Sequence, residues 1–350
     1  MKPGAILESA RALLIEIQAS SRPANEVINA YTRARRYIGS NDRKALADRV
    51  WFAVRHRRRM QFLGLGVGEA CPEVVAGAPD AVNWEVPDWM PDLVDNPARA
   101  LPALLEAPPV VLRANGNREK IRKLLADEGF ETEPTALSPY GLILTKRGNL
   151  AQARCYRDGL VEIQDEGSQL AALETGVKPG DAVLDYCAGA GGKSLIFAQM
   201  MGNRGAIVAH DVSERSLAEL EKRARRAGAT CIRTMLRLEG LFDHVVVDAP
   251  CSGTGTWRRC PDARWKLTRE QVDALVRKQA DILDAAVAFV RPGGRLSYLT
   301  CSLLRPENDG QVCAFLARHA GFALEKRRQF SPATTQTDGL FSAVFQKTTG

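Results

Sequence analysis

Ala182-Val183-Leu184-Asp185-Tyr186-Cys187-Ala188-Gly189-Ala190-Gly191-Gly192-Lys193-Ser194-Leu195-Ile196 is the stretch that decides the fold. A short apolar run ends in an acid, passes through a glycine-rich turn and re-enters an apolar segment of helical character. That is the signature of strand, loop and helix. The same alternation continues outward from it. Strands are predicted at 182–186, 206–210, 244–247 and 295–299, and helices at 191–201, 213–227, 271–290 and 310–319. Alternation of this kind specifies an α/β domain built on a doubly wound, mostly parallel sheet.

Ligands of such sheets sit where strand carboxyl ends meet helix N-termini, and glycines there let a ligand approach the backbone. Three ligands compete for the loop 187–194. A phosphate loop requires glycine five residues before Gly192, and Cys187 stands there. A dinucleotide loop requires a last glycine where Ser194 stands. S-adenosylmethionine fits, with Cys187, Ala188, Gly189, Ala190, Gly191, Gly192 and Lys193 forming the cradle. Asp211, after the second strand, is positioned to accept from the ribose hydroxyls.

Two further strand ends carry cysteines. Strand 244–247 runs into Asp248-Ala249-Pro250-Cys251-Ser252-Gly253-Thr254-Gly255, and strand 295–299 into Thr300-Cys301-Ser302. Both thiols are expected on the side of the cofactor loop, and a thiolate is a strong nucleophile. Carbon 5 of cytosine attacks a methyl sulfonium poorly until a thiolate adds to carbon 6 and makes it enamine-like. After methyl transfer the carbon-5 proton must leave and the thiolate must be expelled. One cysteine can hold the adduct while the other assists its release, and Asp248 is placed to stabilise the ring at nitrogen 3.

Upstream the texture differs. Helices are expected at 4–20, 24–38 and 41–60, the last ending in Arg55, Arg57, Arg58 and Arg59. Residues 65–100 hold five prolines and read as a linker. Strands at 110–113, 141–144 and 159–163 with a helix at 118–128 make a small α/β module. The expected division is a helical domain at 1–75, a linker and small RNA-binding module at 76–150, and a methyltransferase domain at 151–350.

The chain of 350 residues carries a net charge of +7 and a pI of about 9.0, which suits a polyanionic partner. No apolar run reaches the roughly 18 residues that span a bilayer. The N-terminal segment has acids inside its apolar run and reads as an amphipathic helix rather than an export signal. A cytoplasmic, monomeric protein is expected. The eight cysteines (71, 155, 187, 231, 251, 260, 301 and 313) form no CxxC pair and have no histidine at ligand spacing, so neither a disulfide framework nor a metal site is expected.

The motifs together resemble the RsmB/Sun (Nop-related) family of RNA cytosine-carbon-5 methyltransferases, from about Pro87 to the end. The resemblance is carried by Gln164-Asp165-Glu166-Gly167-Ser168-Gln169, 185–194, 248–256, Thr300-Cys301-Ser302, Arg258-Arg259-Cys260-Pro261-Asp262-Ala263-Arg264-Trp265 and Asp338-Gly339-Leu340-Phe341. It implies a Rossmann-like class I methyltransferase domain and an N-terminal helical domain similar to NusB. It implies Cys301 as nucleophile, Cys251 as the thiol of product release, and RNA rather than DNA as substrate, with small-subunit ribosomal RNA in first place. A transfer-RNA enzyme of the same chemistry and a non-catalytic RNA-binding assembly factor remain alternatives. Lys193, Arg258 and Arg264 are the candidate contacts to RNA, with Trp257 and Trp265 as stacking or packing residues. The chain departs from the family in Ala190, where proline is usual, in the shorter helical unit, and in 230–241, which lacks the adenine-side aspartate.

Overall fold

The structure, a computed structural model, describes residues 2–69, 84–146 and 148–349. Much of the linker expected at 65–100, with Cys71, lies outside the described residues. The chain forms two compact units: residues 1–107 with 256–269, and residues 108–255 with 270–350.

The first unit is helical, with α1 (Pro3–Ala19), α2 (Ala24–Ala34), α3 (Ser40–Arg55), α4 (Arg57–Phe62) and α5 (Pro97–Ala103). The apolar spacing of α1 buries Ala10, Leu13 and Ile17 against Val27 and Tyr31 of α2 and Leu46 and Val50 of α3. The helix expected at 41–60 is broken at His56. There the buried Glu85 carboxylate accepts from the backbone N–H groups of Arg58 (2.8 Å) and Arg59 (3.2 Å), capping a new helix start. The excursion 256–269 packs into this same unit. Asp262 accepts from the backbone of Ala24 (3.1 Å), and the Trp265 indole donates to Val54 O (3.1 Å).

The second unit holds two sheets. A four-stranded antiparallel sheet contains β1 (Val110–Ala114), β2 (Thr132–Pro134), β3 (Gly141–Leu144) and β4 (Val161–Ile163), in the order β2-β3-β1-β4. Helix α6 (Arg118–Asp127) supplies Ile121 and Leu125 to its core. Because β4 belongs to this sheet, a domain boundary at 150 would cut through it. The compact units therefore do not follow the division 1–75, 76–150 and 151–350.

The larger sheet has seven strands: β5 (Ala182–Asp185), β6 (Ala206–Ala209), β7 (Ile232–Thr234), β8 (Phe242–Asp248), β9 (Val290–Thr300), β10 (Phe322–Phe330) and β11 (Leu340–Lys347). Their order is β10-β11-β9-β8-β5-β6-β7. The pairs from β9 through β8, β5 and β6 to β7 are parallel, while β11 runs antiparallel to both β9 and β10. Strand order reverses between β5 and β8, which makes that junction the topological switch point. Val183, Leu184, Val245, Val246 and Val247 are fully buried, as expected of parallel strands covered on both faces. Covering helices include α7 (Glu166–Thr175), α8 (Gly192–Met201), α9 (Glu214–Arg226), α10 (Arg269–Ala286) and α11 (Asp309–Arg318). Among the described residues, no helix is long and apolar enough to cross a membrane.

Candidate active site

The glycine-loop residues 187–193 follow β5, Cys251 follows β8 and Cys301 follows β9, all at strand carboxyl ends around the switch point. Two glycines of the loop have distinct tasks. Gly191 adopts φ +87, and a Cβ there would lie 2.5 Å from Leu220 Cγ, so it lets α9 pack against the loop. Gly189 adopts φ +51 with no heavy atom within 4 Å of its would-be Cβ. It leaves open space in front of its backbone, where a ligand can approach. Asp211 ties the loop to the end of β6: one carboxylate oxygen accepts from Gly189 N (2.9 Å), the other from Ser213 N (2.8 Å).

Asp185, at the end of β5, is fully buried. Its Oδ2 accepts from the Ser194 hydroxyl (2.6 Å), while its Oδ1 has no partner. Burial pushes its pKa up to about 7 against the opposing Ser194 hydrogen bond. A buried carboxylate oxygen without a donor is costly and fits a cationic ligand group, such as the ammonium of S-adenosylmethionine. Cys187, in the loop, is half-buried against the β5–β8 core. Burial, with Asp185 nearby, pushes it up to about 12, which keeps it an inert thiol.

The two cysteines converge. Parallel pairing of β8 with β9 sets Asp248 opposite Leu299. The loops that leave these strands bring Cys251 Sγ within 3.3 Å of Cys301 Sγ, and the Cys301 backbone N–H points at the same sulfur (3.3 Å). The hydrogen bond with Cys301, then burial, then the charges of Cys301 and Glu307 push Cys251 well above the ordinary thiol range. Asp248 accepts a hydrogen bond from Lys193 Nζ (2.9 Å), which also donates to Ser168 Oγ (3.0 Å). Burial pulls the Lys193 pKa down, but Asp248 and the charge of Cys301 outweigh it and the net shift is upward. Lys193 is thus buried beside Asp248 and the thiols, not extended toward a phosphate.

Arg258 and Arg264, expected along an RNA path, are instead packing residues. Both are buried in the helical unit, and Arg264 has no exposed surface. Its guanidinium donates to the backbone carbonyls of Glu85, Leu104 and Trp257 at 3.3–3.4 Å. The physical reason is that three buried carbonyls of irregular backbone need donors, and a planar guanidinium serves all of them at once. Trp257 is buried there too.

Three functional candidates lie outside the sequence-based expectations: Asp185, Ser168 and Glu307. The signal for Asp185 is its place as the acid immediately before the glycine loop. Ser168 belongs to the quoted segment 164–169, whose work is bracing. Gln164 donates to Gly192 O (3.0 Å), Asp165 caps α7 through Gly167 N (2.8 Å) and accepts from Asp338 N (2.9 Å), and Glu166 accepts from Leu137 N and Ser138 N. In 230–241 the one acid, Glu239, is exposed, while the apolar Met235 and Leu236 follow β7 and the exposed Val212 follows Asp211. Among the described residues all cysteines are free, and no cluster of three or more histidine, cysteine or acidic side chains fits a metal ion.

A family model described as 16S rRNA methyltransferase RsmB/F matches residues 172–346. A Bacillus subtilis protein named probable ribosomal RNA small subunit methyltransferase B is 33% identical over 295 residues, covering 76% of this chain and 66% of its own length. The chain spans about half to two thirds of the length of the curated relatives it matches. Two solved structures share the fold. The crystal structure of PH0851 superposes with a TM-score of 0.81 at 20% identity, covering 99% of both chains. NSun6 from Pyrococcus horikoshii with SFG superposes at 0.67 and 21% identity, covering 77% of this chain and 98% of its own.

Proposed function

The chain belongs to the 16S rRNA methyltransferase RsmB/F family, and on that premise we propose that it methylates carbon 5 of a cytosine in RNA, with 16S ribosomal RNA as the first target to test. The observation that carries this reading is the thiol pair 3.3 Å apart, with Cys251 as the member pushed toward its protonated form. S-adenosylmethionine, when bound, supplies the electrophilic methyl group. Its amino acid end has the open backbone at Gly189 and the partnerless Asp185 Oδ1 to meet, its ribose has Asp211, and its adenine has the apolar side chains of Val212, Met235 and Leu236.

The remaining chemistry belongs to the chain's own residues. Cys301 forms the Sγ–carbon 6 bond, and the 5,6 double-bond electrons make carbon 5 nucleophilic. Asp248, held by Lys193, stands at ring nitrogen 3 and stabilises the adduct. Once carbon 5 is methylated, its proton passes to solvent water and the C–H electrons re-form the 5,6 double bond as the carbon 6–sulfur bond breaks. Cys251 keeps a proton beside the departing Cys301 thiolate and assists its release. The target base must be unpaired or flipped to reach these groups.

Incubation of Cys251→Ala with 16S rRNA transcript and S-adenosylmethionine is expected to trap a denaturation-resistant protein–RNA adduct that Cys301→Ala cannot form. An adduct that persists in Cys301→Ala, or none in Cys251→Ala, overturns the role assignment. Bisulfite sequencing of RNA from a deletion strain names the target. A lost site in transfer RNA moves the substrate there, and an unchanged 5-methylcytosine map favours a non-catalytic assembly factor.

A further inference from the structure

Glu307 lies outside the chemistry above, yet it touches both cysteine loops. It has no exposed surface. Its Oε1 accepts from the backbone N–H of Ser252 (2.8 Å) and from the side chain of Gln279 (3.0 Å). Its Oε2 accepts from the hydroxyls of both Ser252 and Ser302. Ser252 is the residue after Cys251, and Ser302 the residue after Cys301, so a single carboxylate holds the position following each thiol. The two hydroxyls also contact one another (3.2 Å).

The carboxylate is itself held from behind. Gln279, fully buried on α10, donates to Pro250 O (3.0 Å) as well as to Glu307. Gln311 of α11 donates to Val276 O and lies against Gln279 Oε1 (3.5 Å). Tyr298 donates to Glu307 O (2.7 Å), and Asn308 ties Thr300 Oγ1 (2.6 Å) to Ser302 O (2.9 Å). So dense a buried polar network is costly unless every member is satisfied, and these members are. Among titratable groups, Cys301 and Glu307 act on Cys251, while Asp248 and Cys301 act on Lys193. The Glu307 carboxylate meets the loop after Cys251 at a backbone N–H, whereas the Lys193 ammonium lies against Asp248.

We propose that Glu307 is a positioning residue that latches the two cysteine loops into one body and lays a negative charge on the Cys251 side, so that Cys251 remains the proton-bearing thiol and Cys301 the attacker. This rests on the reading of the two cysteines as a working pair. A latch of this kind keeps the sulfurs within proton-transfer reach throughout the covalent cycle. It also removes the competing reaction in which Cys251 attacks the base.

The test needs neither RNA nor cofactor. The full chain and Glu307→Gln are labelled with iodoacetamide from pH 6 to 10, and each cysteine peptide is followed by mass spectrometry. The glutamine side chain is isosteric with glutamate and can still bridge both serines, because hydroxyls donate or accept. In the unsubstituted chain Cys251 is expected to label more slowly than Cys301 at pH 7.5. In Glu307→Gln the Cys251 midpoint is expected to fall, raising its labelling at pH 7.5 by about tenfold, the change for one pH unit in a thiol midpoint. The buried Cys155 reports folding in the same sample. An unmoved Cys251 profile with Cys155 still protected overturns the proposal. Ser302→Ala tests the latch separately. It releases one arm of the clamp, and diamide oxidation of the Cys251–Cys301 pair to a disulfide is expected to slow several-fold, whereas an unchanged rate refutes the clamp. If these shifts appear while no RNA adduct ever forms, the methyltransferase reading fails and the Glu307 latch stands. The converse result separates them the other way.

Discussion

Asp185→Asn is expected to stabilise the protein while abolishing its ligand site. The side chain is fully buried, with Oδ2 bonded to Ser194 and Oδ1 without a partner. Burial, against the Ser194 hydrogen bond, carries its pKa from the ordinary value of 3.8 to about 7. A carboxyl whose folded pKa is raised contributes stability that is fully present below 3.8 and is lost as pH rises through about 7. At about 1.4 kcal/mol per pH unit, the whole gap is worth about 4 kcal/mol. Asparagine removes that loss. It keeps an acceptor for Ser194 but leaves its own amide N–H₂ in the place of Oδ1, at a cost of about 1–3 kcal/mol. The net gain at pH 8 is then about 1–3 kcal/mol, shrinking and changing sign toward pH 5. Urea unfolding followed by circular dichroism at pH 5, 6, 7 and 8 measures it. S-adenosylhomocysteine is expected to raise the unfolding midpoint of the unsubstituted chain and to leave that of the variant unchanged. Parallel stability profiles for the two proteins between pH 5 and 8 would refute the reasoning, because they would mean that Asp185 carries no excess proton in the folded state.

Gly255→Ala places a Cβ 2.0 Å from Gly339 O, backbone against backbone, and is expected to cost more than about 2 kcal/mol and to slow adduct formation by Cys301, whose carbonyl accepts from Gly255 N. Denaturant titration with adduct kinetics checks both effects. Arg264→Met is expected to destabilise the helical unit by about 2–4 kcal/mol through three abandoned carbonyls while leaving the salt dependence of RNA binding unchanged. Tryptophan fluorescence reads that unit alone, because all five tryptophans (51, 84, 89, 257 and 265) lie in it. His244 is buried on β8 against Ser297 (2.8 Å), and burial carries its pKa from 6.5 down to about 3. Its contribution is present above pH 6.5 and lost as pH falls through about 3, so His244→Gln is expected to flatten the acid limb of the stability profile. Lys193→Met is expected to slow Cys301 adduct formation by about a hundredfold, since it strips Asp248 of its partner and the site of its ammonium. Stopped-flow trapping on the Cys251→Ala background measures it.

The parallel core of the large sheet was readable because β5, β6 and β8 carry short apolar runs, Val183-Leu184, Ile207-Val208-Ala209 and Val245-Val246-Val247, each followed within two residues by an aspartate. Strands β10 and β7 were not. The exposed run Glu325–Gln329 in β10 shows no inward face, and β7 has only three residues. The antiparallel flank formed by β10 and β11 depends on pairing with β9, a long-range contact that leaves no local periodicity. In the site, cysteines at strand ends could be found by position alone, because connections in a doubly wound sheet bring successive carboxyl ends to one edge. Arg258 and Arg264 misled for the opposite reason. A basic run in sequence carries the same composition whether it faces a phosphate or fills a backbone gap, and only burial separates the two.

What the sequence by itself determined is the order of candidate groups along the chain: a glycine loop after one strand, then Asp248 and Cys251 after another, then Cys301 after a third. Strand and turn residues encode that order locally. Only the tertiary structure decided which groups share a charge and a proton. Lys193 meets Asp248 across 55 positions, Cys251 meets Cys301 across 50, and Glu307 reaches Ser252 across 55. Sheet register and buried hydrogen bonds set those distances, and no segment of the chain contains them alone.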